Sequence, residues 1–177
     1  MTELRFSELV GRVLVSNERV KFADADPYGH LASGAYVDMI MSHRVQVLED
    51  LVGFSIMHFA RSGVAFPARN IEVSYLRPAF VGETLEVGSW IEALRTSSFE
   101  VRAIVSGGKD RAVRALSKIS FVTVDAKTGK PVPVPDVLPA NVVTTPLVEL
   151  PHLSSYVSTL SGLPNHWASK HAGVAGA

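Results

Sequence analysis

The sequence predicts an α+β domain in which one antiparallel sheet wraps around a single long central helix. Three observations lead there. The segments run in the order strand, long helix, then four strands in succession. The strands alternate apolar with polar residues, the pattern of half-buried β-structure. Short, turn-rich stretches join them, which favours antiparallel neighbours over parallel crossovers. No alternation of strand and helix supports a doubly wound parallel sheet. The economical packing therefore lays the oily helix face on one sheet.

The first strand is expected over residues 13–22, "VLVSNERVKF", where Val20 and Phe22 alternate with Lys21. A turn over Asp24–His30 follows. The helix is expected over residues 33–51. Val37, Ile40, Met41, Leu48 and Leu51 fall at helical spacing there, with Ser33 as N-cap and Gly53 as the stop. Residues 55–61 read as a loop or short helix.

Four strands come next. In "RNIEVSYL", Ile71, Val73 and Tyr75 oppose Glu72 and Ser74. In "TLEVGSWIEAL", Leu85, Val87 and Ile91 share a side. In "SFEVRAIVSG", Phe99, Val101, Ala103 and Val105 oppose Glu100 and Arg102. Residues 111–125 bring Val113, Ala115, Ile119 and Phe121 into phase. The segments "RPAFVGE", "SGGKD" and "DAKTGKPVP" supply the turns. After Pro139 the pattern fades. "LPHLSSYVSTL" suggests a short helix, the Ala/Gly-rich last ten or so residues are expected to be loose, and no repeat or second core is visible.

A chain of 177 residues suits one domain with a sizeable core. Its 17 basic residues balance 17 acidic ones, which leaves no broad electrostatic footprint for nucleic acid or an anionic membrane. With 47% apolar and 19% charged residues the composition is globular and apolar enough for an oligomer interface. The absence of cysteine excludes a disulfide framework, a thiol nucleophile and thiolate metal sites. The N-terminus "MTELRFSELVGRVLV" lacks the apolar core of a secretory signal. No apolar run reaches the roughly 18 residues of a membrane helix. A cytoplasmic protein without nucleic-acid or membrane partners is expected.

The chemistry concentrates in "VKFADADPYGHLASGAY", Val20–Tyr36. Asp24 and Asp26 sit between a strand end and a helix start, on one side if strand alternation persists. Each reads two ways. An aspartate there caps a helix or closes an Asx-turn, or it is a carboxylate poised beside the free N–H groups of a helix N-terminus. Those N–H groups, around Ala32, Ser33 and Gly34, are able to polarise a substrate carbonyl. Carboxylate plus backbone donors is the pairing that carbonyl hydrolysis requires. His30 is an acid–base candidate or a loop-bonding histidine, the second being favoured.

Other features point away from chemistry. The six histidines form neither His-x-His nor His-Glu-x-x-His, and His43 and His58 lack ligand spacing, so no metal or cofactor is expected. Gly107-Gly108 reads as a hairpin turn, and no Gly-x-Ser-x-Gly elbow is present. Arg44, near the apolar stripe, reads as a buried ion pair or a snorkelling side chain. Met39, Met41, Phe59 and Phe66 read as core packing rather than pocket lining.

The segment "VKFADADPYGHLASGAYVDMIMSHRVQVLED" resembles the N-terminal signature of the 4-hydroxybenzoyl-CoA thioesterase family of hotdog-fold proteins. The matching elements are Asp24, Asp26, Gly29, His30, Tyr36 and Arg44. "ARNIEVSYLRPAFVGETLEVG" and "FVTVDAKTGKPVPVP" continue the resemblance over about residues 13–138. It implies a five-stranded antiparallel sheet around the long helix, within a hotdog unit at residues 1–139. Residues 140–177 are then a partly ordered C-terminal extension. It implies a homodimer with one continuous sheet, or a homotetramer, with active sites at the dimer interface.

The activity implied is hydrolysis of an acyl-CoA thioester. Asp26 would be nucleophile or general base, and the N–H near Ser33 would polarise the carbonyl. Tyr28 and His30, on the same turn, would contact substrate. Arg95, in "LRTSSF", matches a position that holds the nucleotide end of coenzyme A in relatives. The sequence departs from many relatives at Ala32 and Ser33, where they carry Asn-Asn, and at Ser42, where they carry Glu. Two alternatives stand beside hydrolysis: a hotdog hydratase or dehydratase using His30, and a non-catalytic acyl-thioester binding protein.

Overall fold

The computed structural model describes residues 5–52, 55, 61–136 and 150–172. A 3-10 turn at Phe6–Leu9 precedes strand β1, Leu14–Arg19. A second 3-10 turn, Phe22–Asp24, leads to helix α1, Ser33–Val52. Then come β2 (Val64–Ala65), β3 (Ala68–Tyr75), β4 (Thr84–Leu94), β5 (Ser98–Gly107), β6 (Val113–Val122) and β7 (Val124–Asp125). Helices α2 (Leu153–Ser158) and α3 (Asn165–Ala172) close the described chain.

Five strands form an antiparallel sheet in the order β1-β4-β5-β6-β3, and β2 pairs separately with β7. The inner face packs on α1. Leu85 and Val87 of β4, Val101 and Val105 of β5, and Ile119 and Phe121 of β6 join Tyr36, Ile40 and Val47 of the helix in one core. This is the hotdog architecture, and the inward residues of β4 and β5 are those the alternation predicted. Each large apolar side chain fully buried there contributes roughly 1.5–3 kcal/mol.

Several expectations need correction. Strand β1 ends at Arg19 rather than near Phe22. Val20 is buried, but Phe22, swung out by the 3-10 turn, is 86% exposed. Asp24 and Asp26 therefore do not alternate along a strand. Ser33 is the first helical residue and not the N-cap. The first helical bond runs from Tyr36 N–H to the carbonyl of Ala32, at 3.2 Å. The buried face of α1 centres on Tyr36, Ile40, His43 and Val47, so a histidine stands in the middle of the apolar stripe. Val113 belongs to the outer face, because the β5–β6 register shifts between Val105 and Ser106 and reverses the phase beyond it. The stretch 55–61 lies mostly outside the described residues.

The tail also differs. Of the last ten or so residues, expected to be loose, those up to Ala172 belong to α3, and 173–177 lie outside the described residues. Leu153 and Tyr156 of α2 pack with Val13, Trp90, Ile104, Val113 and Leu116 on the outer face, a second apolar cluster not foreseen. The Trp167 ring meets Trp90 edge-on at 6.0 Å, and Arg102 lies over it at 5.2 Å. The sheet is thus covered on both sides, which is why β4 shows five consecutive buried residues, Val87 to Ile91.

Candidate active site

The turn between β1 and α1 is held by its own aspartate. Asp26 Oδ1 accepts the N–H of Tyr28 at 2.9 Å and that of His30 at 3.0 Å. The Asp26 N–H donates to the His30 carbonyl at 2.8 Å. Gly29 completes the turn at φ +76°, a left-handed value that glycine adopts without a Cβ penalty. The turn is tied to the loop after β3 by Leu31 N–H to the Ala79 carbonyl, at 2.8 Å. The His30 ring meets the edge of Phe80 at 5.0 Å.

This leaves Asp26 Oδ2 without a protein partner among the described residues. The half-buried carboxylate borders an open depression of about 310 Å³, together with His30, Ser33, Tyr36, Tyr75 and Arg77. The start of α1 forms one wall. The Ala32 N–H is taken by the Asp24 carbonyl at 2.9 Å. The N–H groups of Ser33, Gly34 and Ala35 lie in the first helical turn, where no intrahelical acceptor exists. They are the available donors, beginning with Ser33.

The opposite wall is tyrosine-rich. Tyr75 OH donates to the Ser33 carbonyl at 2.9 Å and so anchors the helix start to the end of β3. Tyr36 OH donates to the Arg77 carbonyl at 3.4 Å, and its ring meets Tyr75 at 5.4 Å. Burial, with Glu83 adding repulsion, pushes the Tyr36 phenol up to about 12, so it stays protonated at neutral pH.

The structure therefore brings Asp26, His30 and Ser33 to one depression. Tyr28 does not line it: it is 83% exposed, with its ring 6.4 Å from that of His30. Arg95 is not with them. It lies in the β4–β5 hairpin, at the other end of β4, 3.4 Å from Glu100. Tyr75 and Arg77 escaped the site reading, though both fall in "RNIEVSYLRPA". Tyr75 ends the apolar alternation of β3 yet is 47% exposed, the mark of a residue facing a surface site.

His43 has a different place. It is fully buried, with Nδ1 2.7 Å from Ser16 Oγ and Nε2 2.8 Å from Ser89 Oγ. Burial, and secondarily the Arg44 charge, lowers it to about 4, so it is neutral. It pins α1 to β1 and β4. Ser89 was legible as an inward residue of β4, in phase with Leu85, Val87 and Ile91. Its pairing with His43 was not. Among the described residues Arg44 makes no ion pair. Its guanidinium carbon stands 3.9 Å over the Phe121 ring.

Comparison with known proteins agrees with the fold. The family model described as the thioesterase-like superfamily matches residues 20–142. The long-chain acyl-CoA thioesterase FadM of Escherichia coli is 28% identical over 112 residues, 63% of this chain and 83% of that protein. The putative acyl-CoA thioesterase YneP of Bacillus subtilis is 33% identical over 73 residues, 41% of this chain and 52% of its own length. Among solved structures, a 1,4-dihydroxy-2-naphthoyl-CoA thioesterase from Synechocystis superposes with a TM-score of 0.65 at 19% identity, over 70% of this chain and 90% of that one. YbaW, a probable thioesterase from Escherichia coli, gives 0.62 at 25% identity, over 68% and 89%.

Proposed function

Because the chain belongs to the thioesterase-like superfamily, we propose that it hydrolyses an acyl-CoA thioester to a free acid and coenzyme A. The observation that carries this reading is the state of Asp26. One carboxylate oxygen is spent on two backbone N–H groups, the other has no protein partner among the described residues, and the residue lines a depression that Ser33 at the start of α1 also lines.

In the proposed reaction the thioester carbonyl oxygen points at the Ser33 N–H. Charge developing on that oxygen is stabilised by a donor already in position. Asp26 Oδ2 either attacks the carbonyl carbon or takes a proton from the attacking water. The tetrahedral intermediate then expels the coenzyme A thiolate: in the general-base route this yields the free acid directly, and in the nucleophilic route it leaves an acyl–Asp26 anhydride that a water molecule hydrolyses to the acid and the free carboxylate. His30 and Tyr28 border the path of the substrate. No cofactor takes part.

The active unit is proposed to be a cytoplasmic homodimer or homotetramer built on the hotdog unit, residues 1–139, with residues 140–177 as an extension. Strand β3 is at the edge of the sheet, and Tyr75, Leu76, Phe80 and Val81 beside it are 38–52% exposed. Antiparallel pairing of β3 with a second copy would cover that edge. It would set the Ala68 end of one copy against the Tyr75 end of the other. Arg95 lies toward the Ala68 end, since Phe99 and Ala68 both pair with Phe121. A second copy would thus carry its Arg95 toward the first copy's Asp26, where it would meet a nucleotide phosphate.

The test is thiol release from a panel of acyl-CoAs by the wild type and Asp26→Asn, with light scattering to read the oligomer. Release by the wild type and its loss in the variant is expected. Thioester binding without release would replace the hydrolase by a binding protein.

A further inference from the structure

A second concavity lies between the C-terminal half of α1 and the sheet. It is a cavity of about 110 Å³ whose apolar wall includes Leu14, Met41, Leu48, Phe66, Phe99 and Phe121. Among the described residues that line it none is acidic, and two are arginines, Arg12 and Arg44. Met41 and Phe66 pack against the core, as read from the sequence, and also border this cavity.

Arg12 is engaged. Its Nη1 lies 2.9 Å from His152 Nε2 and 3.4 Å from the Leu150 carbonyl. Arg44 is not. Among the described residues no carboxylate and no carbonyl bonds its guanidinium, whose one recorded partner is the Phe121 face. Burial lowers it to about 10, still a cation at neutral pH. The neighbouring His43 is neutral and bonded on both nitrogens, so it supplies no counter-charge. Among the described residues no charge compensates this part-buried cation, and a carboxylate is the group that matches a guanidinium fork.

We propose that this cavity is the acyl pocket and that Arg44 selects acyl groups ending in a carboxylate, the monothioesters of short dicarboxylic acids. The inference rests on the thioester hydrolase reading and names its substrate class. At about 110 Å³ it is smaller than the roughly 150 Å³ apolar cavity that holds one benzene ring, so it is sized for a short acyl group and not for a long chain. A plain alkyl chain would fill it but press hydrocarbon on the charge, which disfavours the wrong substrate. Phe66, Phe99 and Phe121 place the cavity toward the Ala68 end of the sheet. In the β3-paired dimer that is the end facing the second copy's Asp26.

The test compares adipoyl-CoA with hexanoyl-CoA, equal in carbon number, and measures binding of free adipate by calorimetry. The wild type is expected to favour adipoyl-CoA in kcat/KM at least tenfold and to bind adipate. In Arg44→Met that ratio should fall at least tenfold and adipate binding should disappear. Arg44→Lys, which keeps the charge without the fork, should recover part of both. A wild type that prefers hexanoyl-CoA or fails to bind adipate overturns the proposal, whether or not the variants fold. A selectivity unchanged in a folded Arg44→Met also overturns it. Adipate binding by a protein that cleaves neither thioester supports the carboxylate site while removing the hydrolase reading.

Discussion

Asp26 and His30 are locked to each other through the backbone in both directions: His30 N–H to Asp26 Oδ1 at 3.0 Å, and Asp26 N–H to the His30 carbonyl at 2.8 Å. The carboxylate that the proposed reaction uses is therefore also the brace of its own turn. Two roles on two oxygens allow the roles to be separated by substitution.

Asp26→Asn keeps an oxygen able to accept both N–H bonds. Its melting temperature should stay within a few degrees of wild type, while kcat falls on the order of 10²-fold or more. Asp26→Ala should lose activity and stability together, by about 1–2 kcal/mol for the lost turn bonds. Thermal melts run beside thiol-release kinetics separate the two variants.

The backbone donor is testable because Ser33 is the first helical residue. Proline is tolerated there but brings no N–H. Ser33→Pro should keep the helix by circular dichroism and lower kcat by roughly 10²-fold, as loss of one oxyanion donor does elsewhere. Ser33→Ala keeps the donor and serves as the reference. Equal activities in the two variants would take Ser33 out of the mechanism.

The buried His43 predicts a pH dependence of stability. Its folded value, about 4, lies below the ordinary 6.5, so the unfolded chain binds the extra proton first as pH falls. The stabilisation is complete above about pH 6.5 and is lost as pH falls toward 4, on the order of 3 kcal/mol in all. Urea midpoints measured across that window should drop. In His43→Gln, which does not titrate, this part of the slope should vanish, whatever its absolute stability.

The docked tail predicts a steric coupling. A Cβ built on Gly88 would run into the hydroxyl and ring of Tyr156. Gly88→Ala should destabilise the protein by about 1–3 kcal/mol, as overpacking does. In a Tyr156→Ala background the same substitution should cost much less. A double-mutant cycle in urea measures the difference. Additive effects would mean that α2 does not sit on β4 in solution.

Much of the fold was legible because periodicity is a local property. The inward residues of β4 and β5 follow from period-two alternation, and α1 from helical spacing closed by turn residues. The turn chemistry of Asp26 and Gly29 was equally local, so a candidate carboxylate beside a helix start was visible in one stretch of residues. The resemblance to hotdog thioesterases then named Asp26 among the candidates. Val113 escaped because a register shift reverses the phase without a sign in the local pattern. The short helix in "LPHLSSYVSTL" was legible and is α2, but its docking escaped because it depends on contact with Trp90 and Ile104, far away in sequence.

By itself the sequence determined the order of elements, the faces of the central strands and the turn that carries Asp26, since each depends on neighbours within a few residues. Only the tertiary structure decided which oxygen of Asp26 is free and that Tyr75 braces the start of the helix. It alone decided that His43 is a neutral bridge between two serines and that Arg44 faces a cavity with no carboxylate among the described residues that line it. Those properties arise where segments 27 to 77 residues apart meet, as in the pairs Ser16–His43, Tyr75–Ser33 and Arg44–Phe121. Desolvation and hydrogen-bond partners exist only once those surfaces close on one another.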